Sequence, residues 1–287
     1  MNGIIIINKE ENWTSNDVVQ KVKHIFNEKV GHTGTLDPLA TGVLPLLIGK
    51  GTLLSKYLIN HDKEYIATIK LGIKTDSGDS EGKVLERQKV KKEIIEKSNV
   101  LNVLKSFIGK QSQIPPMYSA IKVNGKKLYE YARKGQAVEV TPRNIEIYNI
   151  ELTSISKEEN EITYKVNCSK GTYIRSLSED IAKALGTIGF MKKLTRTKVG
   201  DFEIEQSLKI TELEEKNNLK NFIITIESFF ENKDKINLTE NQVQRFLNGV
   251  KISIKKEDEI YRIYDFSNKF LGIGCIKNNF LKREIVL

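Results

Sequence analysis

The stretch GHTGTLDPLATG, residues 31–42, sets a single carboxylate, Asp37, among glycines, hydroxyls and a proline. Gly31, Gly34 and Gly42 open backbone conformations that other residues avoid, and Asp37–Pro38 marks a turn. The arrangement suits one ionised carboxylate presented with little crowding. Taken alone, Asp37 reads first as a turn- or cap-forming aspartate. Other single residues with chemical capability stand elsewhere: His32 beside the loop, Tyr65 in EYIATIKL, and Tyr173 and Arg175 in GTYIRS. Each also has an ordinary reading, as a loop histidine, a core-facing aromatic or a salt-bridged arginine.

Several familiar constellations fail on inspection. GKGT at 49–52 lacks the first glycine of a phosphate loop, because Leu44 stands there. DSGDSEG has the wrong aspartate spacing for a calcium loop and places Arg87 at its twelfth position. His24, His32 and His61 fall on different elements, and no Gly-x-Ser-x-Gly occurs. The expectation is chemistry or binding with no metal and no cofactor.

The elements that must position these residues are legible from period and punctuation. GIIIIN reads as a buried strand, and Val18, Val19, Val22, Ile25 and Phe26 recur at helical spacing after the cap-like TSND. A short apolar helix is expected around Leu53, Leu54, Tyr57 and Leu58. Tyr65, Ala67, Ile69 and Leu71 alternate at strand period, and TDSGDSEG is a turn. KKEIIEKSNVLNVLKSFIG reads as one amphipathic helix ending at Gly109. Asn124–Gly125 is a hairpin signal, LYEYARKG a short helix, and NIEIYNIEL and ITYKVNCS are strands. Ile174, Leu177, Ile181 and Leu185 form a helical stripe closed by Gly186. Helices scattered among hairpin-joined strands indicate an α+β fold with a mixed, largely antiparallel sheet flanked by helices.

The texture changes near residue 231. ENKDKIN reads as a polar connector, LTENQVQRFLNG as a helix with a Thr-x-x-Gln capping box, and EIYRIYDF, KFLGIGCI and FLKREIVL as short strands. Two units are expected, residues 1–230 and a small β-rich unit at 231–287.

The 287 residues carry a formal charge of +9, with a sequence pI near 9.2. Such an excess fits a polyanionic partner, or a solvated surface in a lysine-rich composition. Cys168 and Cys275 lie far apart without metal-site spacing, as in a reduced cytoplasmic chain. The apolar run near the start is too short for a secretory signal, and no stretch approaches a membrane span. A cytoplasmic monomer is expected.

At these same residues the chain resembles the TruB-type tRNA pseudouridine synthases. The likeness rests on GHTGTLDPLATGVLPLLIG followed in order by KEYIATIKLGIKTDSGDSEG, QIPPMYSAIKVNGKKLYEYARKG, VNCSKGTYIRSLSEDIAKALG and MKKLTRTKVGDF. The tail, through FLNG and FLGIG, is similar to a PUA RNA-binding domain. The resemblance implies that Asp37 is the catalytic aspartate of an enzyme that breaks the N1–C1′ bond of a uridine, turns the base and rejoins it through C5. It implies a target at tRNA position 55 in the T loop, and no cofactor. It makes Arg175 the partner of Asp37, Tyr65, Tyr173 and Leu194 contacts to the target base, and His32 a contact to the flipped-out RNA loop. An Arg–carboxylate pair of this kind is expected to be bidentate and to keep the aspartate ionised. One block departs from the family. In NKEENWTS, Glu10 replaces the usual proline and Asn12 the usual glycine, which predicts a looser strand-to-helix turn. Two other readings stand beside this one: an RNA-binding or tRNA-folding protein whose chemistry is secondary or lost, and a guide-RNA-dependent synthase.

Overall fold

Four consecutive isoleucines in β1 (Gly3–Lys9) are all buried, because the strand serves two cores at once. Ile5 and Ile7 face one apolar cluster with Val18, Val22 and Leu44. Ile4 and Ile6, on the opposite face, join Leu47, Phe202 and Phe230 in another. Period-two alternation thus hides inside an unbroken apolar run, as in strands covered on both faces. The computed structural model describes residues 1–136, 138–216 and 218–287.

Among the described residues one ten-stranded sheet forms the body. Its main path runs from Ile224–Thr225 through β1, β3 (Thr41–Ile48), β8 (Gly189–Val199), β4 (Lys63–Leu71), β7 (Glu161–Cys168) and β6 (Arg143–Ser156) to β5 (Gly109–Gln113), and the short β2 (Val30–His32) also pairs with β3. All pairings in it are antiparallel except β3 with β8, which meet only at Thr41–Thr195 and Gly42–Arg196. The fold is mixed α+β. Helix α1 (Ser15–Phe26) buries Val18, Val19 and Val22 against the sheet, each worth about 1.5–3 kcal/mol relative to exposure. Helix α3 (Ile174–Ala184) buries Ile174, Leu177 and Ile181, and Gly186 follows at φ +81°.

Strand β3 is absent from the period-based reading because Pro45 sits at its centre. Pro45 lies opposite Ile6, whose carbonyl accepts from the Leu208 amide at 3.0 Å, so this is a non-hydrogen-bonded pair. Since β8 pairs with β3 only at Thr41 and Gly42, the missing proline N–H breaks no ladder bond. Strand β8 also escapes the reading, because MKKLTRTKV alternates apolar residues with lysines and threonines that continue no obvious stripe. The expected helix from Lys91 to Gly109 is instead a 3₁₀ turn, Lys92–Ile95, and helix α2 (Lys97–Ser106), separated by an extended Glu96. Asn99 donates its side-chain amide to the Ile94 carbonyl at 2.9 Å across the break.

The expected connector ENKDKIN contains a strand, Lys235–Asn237, at the edge of a second, five-stranded sheet with Ile260–Tyr264, Phe270–Lys277, Phe280–Val286 and Ile252–Ser253. Thr239 caps the helix Glu240–Leu247 with Gln242 in a capping box. The second sheet has its own cluster around Leu238, Phe246, Ile263 and Leu281. Its Ile273 and Ile285 join the cluster formed by Ile4 and Ile6, so the two sheets share apolar burial.

The turn at residues 10–13 is not loose. Asn12 sits at φ +67°, a left-handed conformation that glycine adopts freely and asparagine tolerates better than other residues. Its amide donates to the Pro38 carbonyl at 3.0 Å. Asn12→Gly is therefore expected to leave the urea midpoint nearly unchanged, whereas Asn12→Ala costs about 1–2 kcal/mol. Equal loss in both would show that the amide side chain, not the backbone conformation, matters there.

Candidate active site

The loop between β2 and β3 carries Asp37, and it is held from outside rather than merely permitted by its glycines. Ser15, at the start of α1, accepts from the Leu36 amide at 2.8 Å and donates to the Leu36 carbonyl at 3.0 Å. Lys9, fully buried at the end of β1, donates to the carbonyls of Pro38 (3.0 Å), Trp13 (2.6 Å) and Glu10 (2.9 Å). Burial pulls the Lys9 ammonium down to about 8, against the opposing pull of the Asp37 charge. Arg196 on β8, 2% exposed, donates Nε to the Val43 carbonyl at 2.8 Å and Nη2 to the Gly34 carbonyl at 3.1 Å. An Asp37 carbonyl–Ala40 amide bond of 3.0 Å closes the turn internally.

Asp37 faces a cleft of about 790 Å³ whose walls come from this loop, from β4 and β8, from the segment Tyr118–Ala120 and from the start of α3. Arg175, the second residue of α3, reaches across with Nε 3.0 Å from Asp37 Oδ2. The pair is not bidentate. The rest of the guanidinium is taken by Asp79, Ser77 and Tyr118: Nη1 lies 3.5 Å from Asp79 Oδ2 and 3.3 Å from the Ser77 carbonyl, and Nη2 donates to the Tyr118 carbonyl at 2.8 Å. Arg175 is thus a bridge between two carboxylates, one facing the cleft and one buried in the turn 76–82. Asp79 in turn accepts from the Ser77 hydroxyl and, at 3.1 Å, from the Glu81 amide.

Burial pushes the Asp37 carboxyl above its ordinary value; the Arg175 charge opposes this, Asp79 adds to it, and Lys9 opposes it. Burial and the arginine thus oppose one another at Asp37. Desolvation is the largest influence, and Arg175 offsets it only in part.

Tyr65 and Leu194, each 8% exposed, form the cleft floor. They lie on antiparallel neighbours, with Leu194 opposite Ala67 and Arg196 opposite Tyr65, so the four side chains share one sheet face. Burial pushes the Tyr65 phenol up to about 12, so it is protonated at neutral pH. Tyr173, immediately before α3, completes the wall; its amide and carbonyl are both bound by the buried side-chain amide of Gln113 at 2.8 and 3.0 Å. The fold therefore brings Asp37, Arg175, Tyr65, Tyr173 and Leu194 to one cleft. His32 lies apart from its lining, half-buried on β2, and burial lowers its imidazole below the ordinary value. Lys63, Arg143 and Lys170 also line the cleft, so that with Arg175 and Arg196 its described lining carries five basic side chains against the single carboxylate of Asp37.

Residue-by-residue reading missed Lys9, Asp79 and Arg196. Asp79 stands in DSGDSEG, whose aspartate spacing fits no calcium loop and carries no other signal. Arg196 lies two residues after Leu194, and strand period would have put it on the same face had β8 been recognised.

Comparison with known proteins identifies the family. Residues 23–174 match the model of the TruB family pseudouridylate synthase N-terminal domain. Residues 175–231 match the tRNA pseudouridylate synthase B C-terminal domain, and 235–283 match the pseudouridine synthase II TruB C-terminal region. The tRNA pseudouridine synthase B of Clostridium kluyveri is 44% identical, covering 97% of this chain and 96% of that protein. Those of Francisella philomiragia and Clostridium tetani are each 46% identical, over 96% of this chain and 91% and 95% of theirs. The chain belongs to the TruB family of pseudouridylate synthases. A solved Cbf5–Nop10–Gar1 complex supplies a similar structure, at TM-score 0.67 and 26% identity, covering 95% of this chain and 78% of that one. The TruB fold is also shared with a chain of an H/ACA RNP bound to substrate RNA, at TM-score 0.68 and 23% identity over 99% of this chain and 84% of that one. Among the described residues no helix is long and apolar enough to cross a membrane.

Proposed function

We propose that this enzyme converts the uridine at position 55 in the T loop of tRNA to pseudouridine, with Asp37 as its catalytic residue. Membership of the family supports the isomerisation and tRNA as its substrate. The single observation that carries the site assignment is the Asp37–Arg175 contact inside a cleft where Asp37 is the only carboxylate among the described lining residues. The reaction breaks C1′–N1 and forms C1′–C5, while C5 loses a proton and N1 gains one. It is a rearrangement without net proton or electron change, so a single carboxylate held beside the sugar–base bond suffices.

A uridine stacked in an RNA loop cannot enter such a cleft, so the nucleotide must be flipped out, at about a few kcal/mol. Stacking on an aromatic ring returns roughly 1–3 kcal/mol per base. Tyr65 supplies that ring, while Leu194 and Tyr173 make the apolar slot around it. His32 contacts the opened RNA loop outside the slot. Residues 231–287, a PUA-like unit following the catalytic residues 1–230, hold the stem by charge and shape.

The test is nucleotide-resolution mapping of pseudouridine over a full-length unmodified tRNA transcript. Product confined to the T-loop uridine supports the assignment, and product at other positions overturns it. Phosphate contacts by Lys63, Arg143 and Lys170 would release about three counterions, so the dissociation constant for tRNA is expected to rise at least tenfold from about 50 to 200 mM salt. An affinity independent of salt contradicts the electrostatic part of the account.

A further inference from the structure

Arg196 is a side chain without an obvious reason to be charged. It is among the largest fully buried side chains of the molecule, and none of the ion pairs among the described residues includes it. An apolar side chain of similar volume would fill such a place without the desolvation a buried cation suffers. What an apolar chain cannot do is grip two acceptors with one rigid plane.

The two acceptors are the informative feature. Gly34 and Val43 lie on either side of Asp37 in the chain, so one guanidinium spans both legs of the Asp37 loop. The returning leg also lies directly on the backbone of Arg196. A Cβ at Gly42 would come within 2.2 Å of the Arg196 carbonyl oxygen, and Gly42 adopts φ +104°. The hydroxyls of Thr41 and Thr195, 2.9 Å apart, tie the next position. On the sheet, Arg196 is the cross-strand neighbour of Tyr65 and shares a face with Leu194.

We propose that Arg196 is a positioning residue that fastens both legs of the Asp37 loop to the strands bearing Tyr65 and Leu194, and so sets the distance between the carboxylate and a base lying on that floor. The inference rests on the assignment of Asp37 and Tyr65 made above. Arg196 touches neither reacting atom in this scheme. Its loss lets the loop shift, and displacement of a catalytic group by about 1 Å can lower a rate on the order of a hundredfold. RNA affinity, carried by other groups, stays.

The experiment compares wild type, Arg196→Met, Arg196→Lys, Gly42→Ala and Asp37→Asn on one tRNA transcript. Single-turnover rates are taken at saturating enzyme, dissociation constants by filter binding, and folding by urea melts. Arg196→Met is expected to slow pseudouridine formation about a hundredfold with affinity within about threefold of wild type. Arg196→Lys, which can reach one carbonyl at a time, should fall between. Gly42→Ala keeps the guanidinium but pushes the returning leg away, and should show the same split between rate and affinity. If Arg196→Met does not fold, the lysine and alanine variants decide. Folded variants at wild-type rates overturn the proposal. So does affinity falling in step with rate, which would make Arg196 an RNA ligand. Wild type without product, or Asp37→Asn with product, overturns the functional assignment beneath it instead, and the inference falls with that assignment.

Discussion

An Asp37→Asn protein is expected to fold, to bind tRNA nearly as well as wild type, and to melt at an equal or higher temperature at pH 7. The last expectation follows from the sign of the ionisation. Burial holds the Asp37 carboxyl above its ordinary value despite Arg175, so the folded state binds that proton more tightly than the unfolded chain does. Ionisation therefore weighs against folding at every pH above the folded-state value. The penalty fades as pH falls through that value, and it vanishes below the unfolded one near 4. Asparagine, neutral and nearly isosteric, removes the penalty at pH 7 and has nothing to remove near pH 3. A melting-temperature difference between mutant and wild type that shrinks on acidification is the expected signature. A mutant less stable than wild type at pH 7 and equally so at pH 3 would mean that Asp37 is chiefly a structural hydrogen-bond acceptor.

Replacing Arg175 by methionine should have the opposite effect on stability and an effect of the same sense on activity. Asp79 loses its charge partner in a buried turn and Asp37 loses the group that aims it, while the Ser77 and Tyr118 carbonyls lose their donors. Removing one member of a buried charge pair costs about 3–5 kcal/mol. The value here belongs at the lower end, because the Asp37 side chain keeps 31% of its surface exposed. In a chain of this size that is a loss on the order of 5–10 °C in melting temperature. The rate should fall about a thousandfold, a scale seen when one preorganised charged or hydrogen-bonding group is removed. Two pH–rate profiles separate charge from geometry. A milder variant, Arg175→Lys, keeps the charge on a shorter side chain, so the cation lies farther from Asp37 and opposes burial less; it should move the acid limb to higher pH. Asp79→Asn should move it to lower pH, since a like charge is gone. Limbs shifting in the same direction would contradict the assignment of the limb to Asp37.

The structure explains why the site was only partly legible from residues alone. Strand period placed Tyr65 on the buried face of its strand, and a helical stripe closed by glycine placed Arg175 at the head of its helix, both as found. Neither pattern says that the two meet, because their meeting depends on β8 lying between β3 and β4. That strand was invisible to periodicity: its exposed-face lysines and its threonines obscure Met191, Leu194 and Val199. β3 was hidden by a proline that is tolerated only where a neighbour has turned away. The glycines of the Asp37 loop are plain in the sequence, yet the loop is fixed by Lys9, Ser15 and Arg196, which are polar side chains buried where composition alone would place apolar ones. Asn12, which looked like a loss relative to the family pattern, takes a backbone conformation close to the one glycine would supply. Three strands and the capped helix of the second unit are legible in the sequence, whereas the short strands Lys235–Asn237 and Ile252–Ser253 and the apolar contact shared with β1 are not.

The central claim is that one cleft-facing, half-buried carboxylate, aimed from a clamped loop, performs the rearrangement. Its most direct test is a single-turnover comparison of wild type and Asp37→Asn on an unmodified tRNA transcript, with binding saturated and pseudouridine read at the T-loop uridine. The account predicts complete conversion by wild type and a mutant slower by about 10⁴-fold or more, the scale of losing a group central to the chemistry. Conversion by the bound mutant at a rate near that of wild type would show that the chemistry belongs to another residue.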